Sequence, residues 1–148
     1  MKWCAFFILA CSAVCDEGTG GLSSDARLCS NFRDIAHEET GLERLLTDPA
    51  RLNQFDLDGD GKSDAIVVSC PGSSPTEQAD ACITEVNPTR AKPYSLEAWR
   101  VFIIEYRGEP FAVASTRWRN GKSPSFRQIY ALRSSGAQLI CNVKVTGK

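Results

Sequence analysis

Apolar and polar positions along the chain change their period once, near residue 65, and that change organises the rest. Upstream, Leu28, Cys29, Phe32, Ile35 and Ala36 recur every three or four residues, the spacing that lines one face of an α-helix. Ser23-Ser24-Asp25 offers oxygens to the free amides of that helix start. Leu42, Leu45 and Leu46 predict a second short helix, and Asp48-Pro49 opens a third turn that runs through Leu52 to Phe55. Downstream, period-two alternation and short apolar runs predict strands over 65–69, 82–86, 99–106, 111–116, 126–132 and 138–145. In the last of these Leu139, Cys141, Val143 and Val145 alternate with Gln138, Ile140, Asn142 and Lys144, so one side faces a core. Arg107-Gly108-Glu109-Pro110 and Asn120-Gly121 are turn and hairpin signals, and 71–75 and 87–93 read as loops. Helices first and strands after predict an α+β fold, with amino-terminal helices packed on one antiparallel sheet.

Residues 1–15 do not belong to that fold. One basic residue, Lys2, precedes an apolar stretch that ends in small residues before Asp16-Glu17-Gly18, the layout of a signal peptide. The stretch is shorter than the roughly 20 apolar residues of a membrane span. Ala13-Val14-Cys15 leaves two routes open: ordinary cleavage after Cys15, or a lipoprotein signal with the lipid on Cys15 or, as a lesser choice, Cys11. Valine just before the cysteine departs from the usual lipobox. The expected compartment is periplasmic or secreted, and a lipid on Cys15 is the only expected tie to a membrane. Residues 16–148 suffice for one domain with a real core.

Four cysteines remain after either route: Cys29, Cys70, Cys82 and Cys141. An even number in an exported chain predicts two disulfides, for which three pairings exist. Cys70–Cys82, closing a short polar segment, and Cys29–Cys141, tying the first helix to the last strand, are the expected pair. No C-x-x-C spacing is present, which argues against redox or zinc chemistry.

The densest chemistry lies where the period changes, in Asp56-Leu57-Asp58-Gly59-Asp60-Gly61-Lys62-Ser63-Asp64. Spacing of two turns the carboxylates of Asp56, Asp58 and Asp60 inward around one tight loop, with Gly61 allowing the bend. Four acids packed so closely repel one another unless a cation sits among them, and an all-oxygen donor set suits hard Ca2+. The first half matches an EF-hand loop, but position twelve is Val67 instead of glutamate, and 65–69 reads as a strand, not a helix.

With that strand behind it, 55–68 resembles the calcium loop of FG-GAP and VCBS-type repeats, D-x-D-x-D-G-x-x-D followed by an apolar strand. The resemblance implies side-chain ligation by Asp56, Asp58, Asp60 and Asp64 and one backbone oxygen from Lys62. The family builds propellers from many such repeats; one loop in 148 residues excludes a propeller. A structural ion is expected rather than a signalling one, because no helix pair exists for it to open.

Charge is sorted along the chain. Residues 16–98 carry 16 acids against 7 bases, and residues 107–148 carry 8 bases against the single acid Glu109. The halves either attract each other within the fold or offer a basic face to an acidic partner. Arg117-Trp118-Arg119 interleaves an aromatic with bases at a loop tip, the composition of a binding hot spot. A net charge of −1 in an exported chain speaks against nucleic acid. His37 is the sole histidine, set among Asp34, Glu38 and Glu39, and reads as a helix-end residue. No G-x-S-x-G or H-E-x-x-H accompanies it, and carboxylate pairs drawn from Glu38, Glu39 and Glu43 are ordinary on a solvated helix.

These features together indicate an exported, calcium-stabilised binding or interaction module of the bacterial cell envelope, whose partner is an envelope protein or glycan. An inhibitor or immunity protein against a toxin or lytic enzyme is the alternative within the same class. A small calcium-dependent hydrolase is the enzymatic alternative.

Overall fold

The computed structural model describes residues 24–37, 40–70, 81–115 and 126–144. Within them one α-helix, α1 (Ser24–Ile35), is followed by two single 3-10 turns at Glu43–Leu45 and Pro49–Arg51, and then by seven strands. Strands β1 (Ala65–Ser69), β2 (Cys82–Asn87) and β3 (Tyr94–Ala98) form one antiparallel sheet in that order. Strands β4 (Arg100–Tyr106), β5 (Glu109–Ser115), β6 (Phe126–Arg133) and β7 (Gly136–Lys144) form a second, also in chain order. The chain changes sheet at one residue, Trp99, between β3 and β4.

The four-stranded sheet is the middle layer. On one face Ile104, Phe111, Val113, Ile129, Ala131, Cys141 and Val143 meet Cys29, Phe32 and Ala36 from α1 and its end. On the other face Val101, Ile103, Ala112, Ala114 and Leu132 meet Phe55, Ile66, Cys82 and Val86 beneath the three-stranded sheet. Strict alternation sends neighbouring residues of β5 to opposite cores: Phe111 and Val113 reach the helix, Ala112 and Ala114 the other sheet. The small alanines let the two sheets approach closely, while Phe111 fills the wider gap under α1, edge-on to Phe32 at 5.0 Å.

The α+β expectation, helices packed on one sheet, is therefore corrected to a mainly β fold with a single helix and two sheets. The Leu42–Leu46 spacing is helical, but the segment manages one 3-10 turn only. Pro49 confines Asp48 to an extended conformation (φ −56°, ψ 127°), so no helix can run through it. Leu46 bridges Ile104, and the Thr47 amide donates to the Ile103 carbonyl at 2.9 Å, so the edge of β4 draws the chain straight.

Two further differences sit in strands. β3 falls between the expected loop at 87–93 and the expected strand at 99–106, where no element was predicted; Tyr94, Leu96 and Ala98 turn inward and Ser95 and Glu97 outward. In β7 the pairing slips between Ile129↔Cys141 and Tyr130↔Leu139, leaving Ile140 as an inserted bulge residue. The predicted alternation holds for Cys141 and Val143 and reverses beyond the bulge, where Leu139 is exposed and Ile140 leans on the helix-side core. Val145 lies outside the described residues.

One disulfide, Cys70–Cys82, joins the end of β1 to the start of β2. The second expected pair is not bonded: Cys29 and Cys141 are buried free thiols, with the Cys141 Sγ 3.9 Å from the Cys29 carbonyl oxygen.

Candidate metal centre

The aspartate loop hangs from two anchors in the inter-sheet core. Phe55 enters that core just before the loop and Ile66 just after it, and the Asp64 amide donates to the Phe55 carbonyl at 2.7 Å to close the neck. Between those ends the backbone coils around its own carboxylates. Asp56 Oδ1 accepts from the Gly59 and Asp60 amides at 2.7 and 3.1 Å, and its Oδ2 from the Gly61 amide at 2.8 Å. Gly61 holds φ at +81°, a left-handed conformation that a side chain would strain. The Asp60 amide also reaches Asp58 Oδ1 at 3.2 Å, and the Lys62 amide donates to Asp60 Oδ1 at 2.7 Å.

A second segment closes the loop from across the sheet. Asp64, 1% exposed, accepts from the Leu57 amide at 2.7 Å on one oxygen. On its other oxygen it accepts from the Thr89 amide at 2.7 Å and the Thr89 hydroxyl at 3.0 Å. The Arg90 amide donates to Asp58 Oδ2 at 2.7 Å, and the Arg90 Nε lies 3.4 Å from Asp60 Oδ2. Amides thus supply partial positive charge from several sides. The Gly61 amide foremost, aided by its neighbours and opposed by desolvation, holds the Asp56 carboxyl below the usual carboxylate range.

Carboxylate oxygens of Asp56, Asp58 and Asp64 all lie within 4.8 Å of one another. Oxygens that share a calcium ion at 2.3–2.6 Å stand at most about 5 Å apart, so these three fit one coordination sphere. Asp56 Oδ2, both Asp58 oxygens and Asp64 Oδ2 each accept a single amide hydrogen bond and so keep a lone pair, and the donor set has no nitrogen or sulfur, which suits a hard cation. Asp60 stands outside the three-carboxylate cluster, but its side chain is 1% exposed and its Oδ2 has no hydrogen-bond partner among the described residues. A buried carboxylate oxygen with only a 3.4 Å ion pair to a largely exposed arginine is poorly compensated. That deficit is what a nearby divalent ion would relieve.

Three of the four aspartates expected as ligands therefore converge, Asp60 is set to one side, and Lys62 enters through its amide. Thr89 and Arg90, which brace Asp64 and Asp58, carry no local sequence signal; they arrive only through the β1–β2–β3 pairing. Arg117, Trp118 and Arg119 fall outside the described residues, as do residues 1–15, Glu38 and Glu39. His37 is exposed just beyond the end of α1, and Glu43 pairs with Arg127 at 3.6 Å. Among the described residues no helix is long and apolar enough to cross a membrane. No family model, no curated protein and no solved structure matches the chain.

Proposed function

We propose that the protein is an exported binding module of the cell envelope whose three-stranded sheet is locked by one structural calcium ion, with Asp56, Asp58 and Asp64 as carboxylate ligands and Asp60 drawn in on binding. The observation that carries the metal reading is the convergence of three carboxylates within 4.8 Å, beside a buried Asp60 oxygen that lacks a partner. Likeness of the loop to FG-GAP and VCBS-type repeats supports calcium over other hard cations, and adds the Lys62 carbonyl as a backbone ligand. The export reading rests on residues 1–15 and on the Cys70–Cys82 disulfide, a bond that persists in oxidising compartments.

Calorimetric titration of chelator-stripped protein with calcium chloride tests the metal directly. One ion per chain is expected, with a rise in melting temperature corresponding to about 2.7 kcal/mol at one hundred times the dissociation constant. Neither heat nor a melting shift on adding calcium would remove the ion from the proposal.

A further inference from the structure

Away from the aspartate loop, a cleft of about 390 Å3 opens between α1 and the β4–β5 turn, and its polar lining is dominated by guanidinium groups. Arg27, Arg107 and Arg133 line it together with Asn31, Tyr106 and Glu109. Glu109 is its only carboxylate and is already paired with Arg133 at 3.1 Å. Among the described residues neither Arg27 nor Arg107 meets a carboxylate. Arg27 and Asn31 stand four residues apart, on one face of the helix.

Arg107 sits in a conformation that its own side chain does not favour. Tyr106 pairs with Glu109, so Arg107 and Gly108 form a two-residue hairpin turn with φ of 55° and 81°. Such turns prefer Asn-Gly, Asp-Gly or Gly-Gly, and an arginine at the first position is strained. Its guanidinium lies over the Tyr106 ring, 5.2 Å from the centroid. That ring is backed by Phe32 at 5.2 Å, which in turn packs on Phe111. A cation with no carboxylate partner among the described residues is thus held on an aromatic floor, at a turn where glycine or asparagine would fold more easily.

We propose that this cleft binds a small ligand bearing one oxyanion, a carboxylate, sulfate or phosphate, on a body about the size of a single sugar ring. Arg27 and Arg107 are the charged contacts, the Asn31 amide and Tyr106 hydroxyl are neutral hydrogen-bonding partners, and the Glu109–Arg133 pair forms a fixed wall. Guanidinium forks match planar and tetrahedral oxyanions by paired hydrogen bonds. The volume falls at the lower end of the roughly 300–1,000 Å3 of small-molecule sites, too little for a large ligand. The site names a ligand class for the binding role above and rests on that role. Glu109 and Arg133 also line the opening beside Asp56 and Asp58, but the cleft itself includes no residue of the aspartate loop, so loss of calcium binding and loss of oxyanion binding are distinguishable.

The test is titration of the calcium-loaded chain with glucuronate, glucose 6-sulfate, free sulfate and glucose, followed by calorimetry and amide chemical shifts. Saturable binding of the acidic probes but not of glucose is expected, with shifts centred on α1 and the β4–β5 turn. A sugar acid binding more tightly than free sulfate supports the proposal; equal binding of free sulfate would overturn the sugar-sized body and leave a bare oxyanion site. Arg107→Asn, which suits the turn, should keep or raise the melting temperature while weakening binding about tenfold to a hundredfold, the worth of one charge-assisted hydrogen bond. Arg27→Gln should do the same without unfolding the helix, whereas Arg100→Gln, an exposed charge outside the cleft, should change little. Absence of binding by every acidic probe, equal binding of glucose, or equal weakening by Arg100→Gln and Arg107→Asn would overturn it.

Discussion

Asp64→Asn separates what the aspartate loop gains from its own hydrogen bonds from what an ion adds. The carboxylate is buried and accepts three hydrogen bonds, from the Leu57 amide at 2.7 Å and from the Thr89 amide and hydroxyl at 2.7 and 3.0 Å. Asparagine keeps the shape but turns one oxygen into a donor. If the carbonyl stays with Thr89, the new amide meets the Leu57 N–H, donor against donor; the flipped rotamer moves the conflict to Thr89. Losing one charge-assisted hydrogen bond and leaving a buried donor unpaired costs about 3 kcal/mol. Urea unfolding in excess chelator should show that loss as a lower midpoint with an unchanged slope. With calcium at one hundred times the dissociation constant, the wild type gains a further ~2.7 kcal/mol that the variant forfeits in large part. The gap between the two proteins should therefore widen when calcium is added. A variant as stable as wild type in chelator refutes the hydrogen-bonding argument, and a gap that calcium does not widen refutes ligation by Asp64.

Three more predictions follow from buried or strained groups. Thr84 is fully buried in β2 and its hydroxyl has no partner among the described residues, so Thr84→Val should stabilise the fold by about 1 kcal/mol in the same urea assay; a loss of stability would mean the hydroxyl is satisfied. Burial foremost, then the neighbouring Cys29, pushes the Cys141 thiol up to about 12. It stays protonated at pH 8, so its alkylation by iodoacetamide in the native, unbridged protein should be on the order of a thousandfold slower than that of a free thiol, rising only as pH approaches the shifted value. Labelling at the rate of an exposed cysteine would contradict the packing of α1 on β7. Gly61→Ala, at φ +81° with nothing near the added methyl, should cost about 1 to 2 kcal/mol through backbone strain alone, and calorimetry should show weaker calcium binding.

Most of the strands were legible because their alternation is strong: Phe111, Val113, Ile129, Cys141 and Val143 all point where period two sends them. Tyr94–Ala98 also alternates, but its serine, glutamate and alanine are weak strand formers, and the pairing with β2 rather than local preference makes it a strand. The Leu42–Leu46 spacing misled because proline at 49 and the β4 edge outweigh helical periodicity over so short a segment. Ile140 could not be foreseen, since a bulge is a relation between two strands. The aspartate loop was legible in part for the opposite reason, since its carboxylates lie in one short stretch: spacing of two brings Asp56 and Asp58 together but leaves Asp60 aside, and Asp64 joins them where its amide hydrogen-bonds the Phe55 carbonyl. The braces from Thr89 and Arg90, and the meeting of Arg27 with Arg107, join residues far apart in the chain. Only the sorting of basic residues toward the carboxyl end hinted at the second.

The position of the loop gives it more weight in the fold than its few residues suggest. A two-stranded hairpin is marginally stable at best on its own, so the β1–β2 hairpin depends on β3, on the core beneath it and on how its ends are held. The pairing runs from Ala65↔Asn87 at one end to Ser69↔Ile83 at the other. Beyond the second end stands the Cys70–Cys82 disulfide, which constrains the unfolded chain by roughly 3 kcal/mol for a loop of this length. Beyond the first stand Asp64 and Thr89, joined by two hydrogen bonds on a single carboxylate oxygen. A covalent bond closes one end of the hairpin and a carboxylate lock closes the other. The carboxylate end is the weaker, because three acids converge there beside Asp60, offset among the described residues by Arg90, the Thr89 hydroxyl and backbone amides. A divalent ion bound there, as proposed above, would remove the repulsion and tie Asp56 and Asp58 to Asp64, the residue just before β1. It would brace the end of the hairpin that the disulfide does not reach.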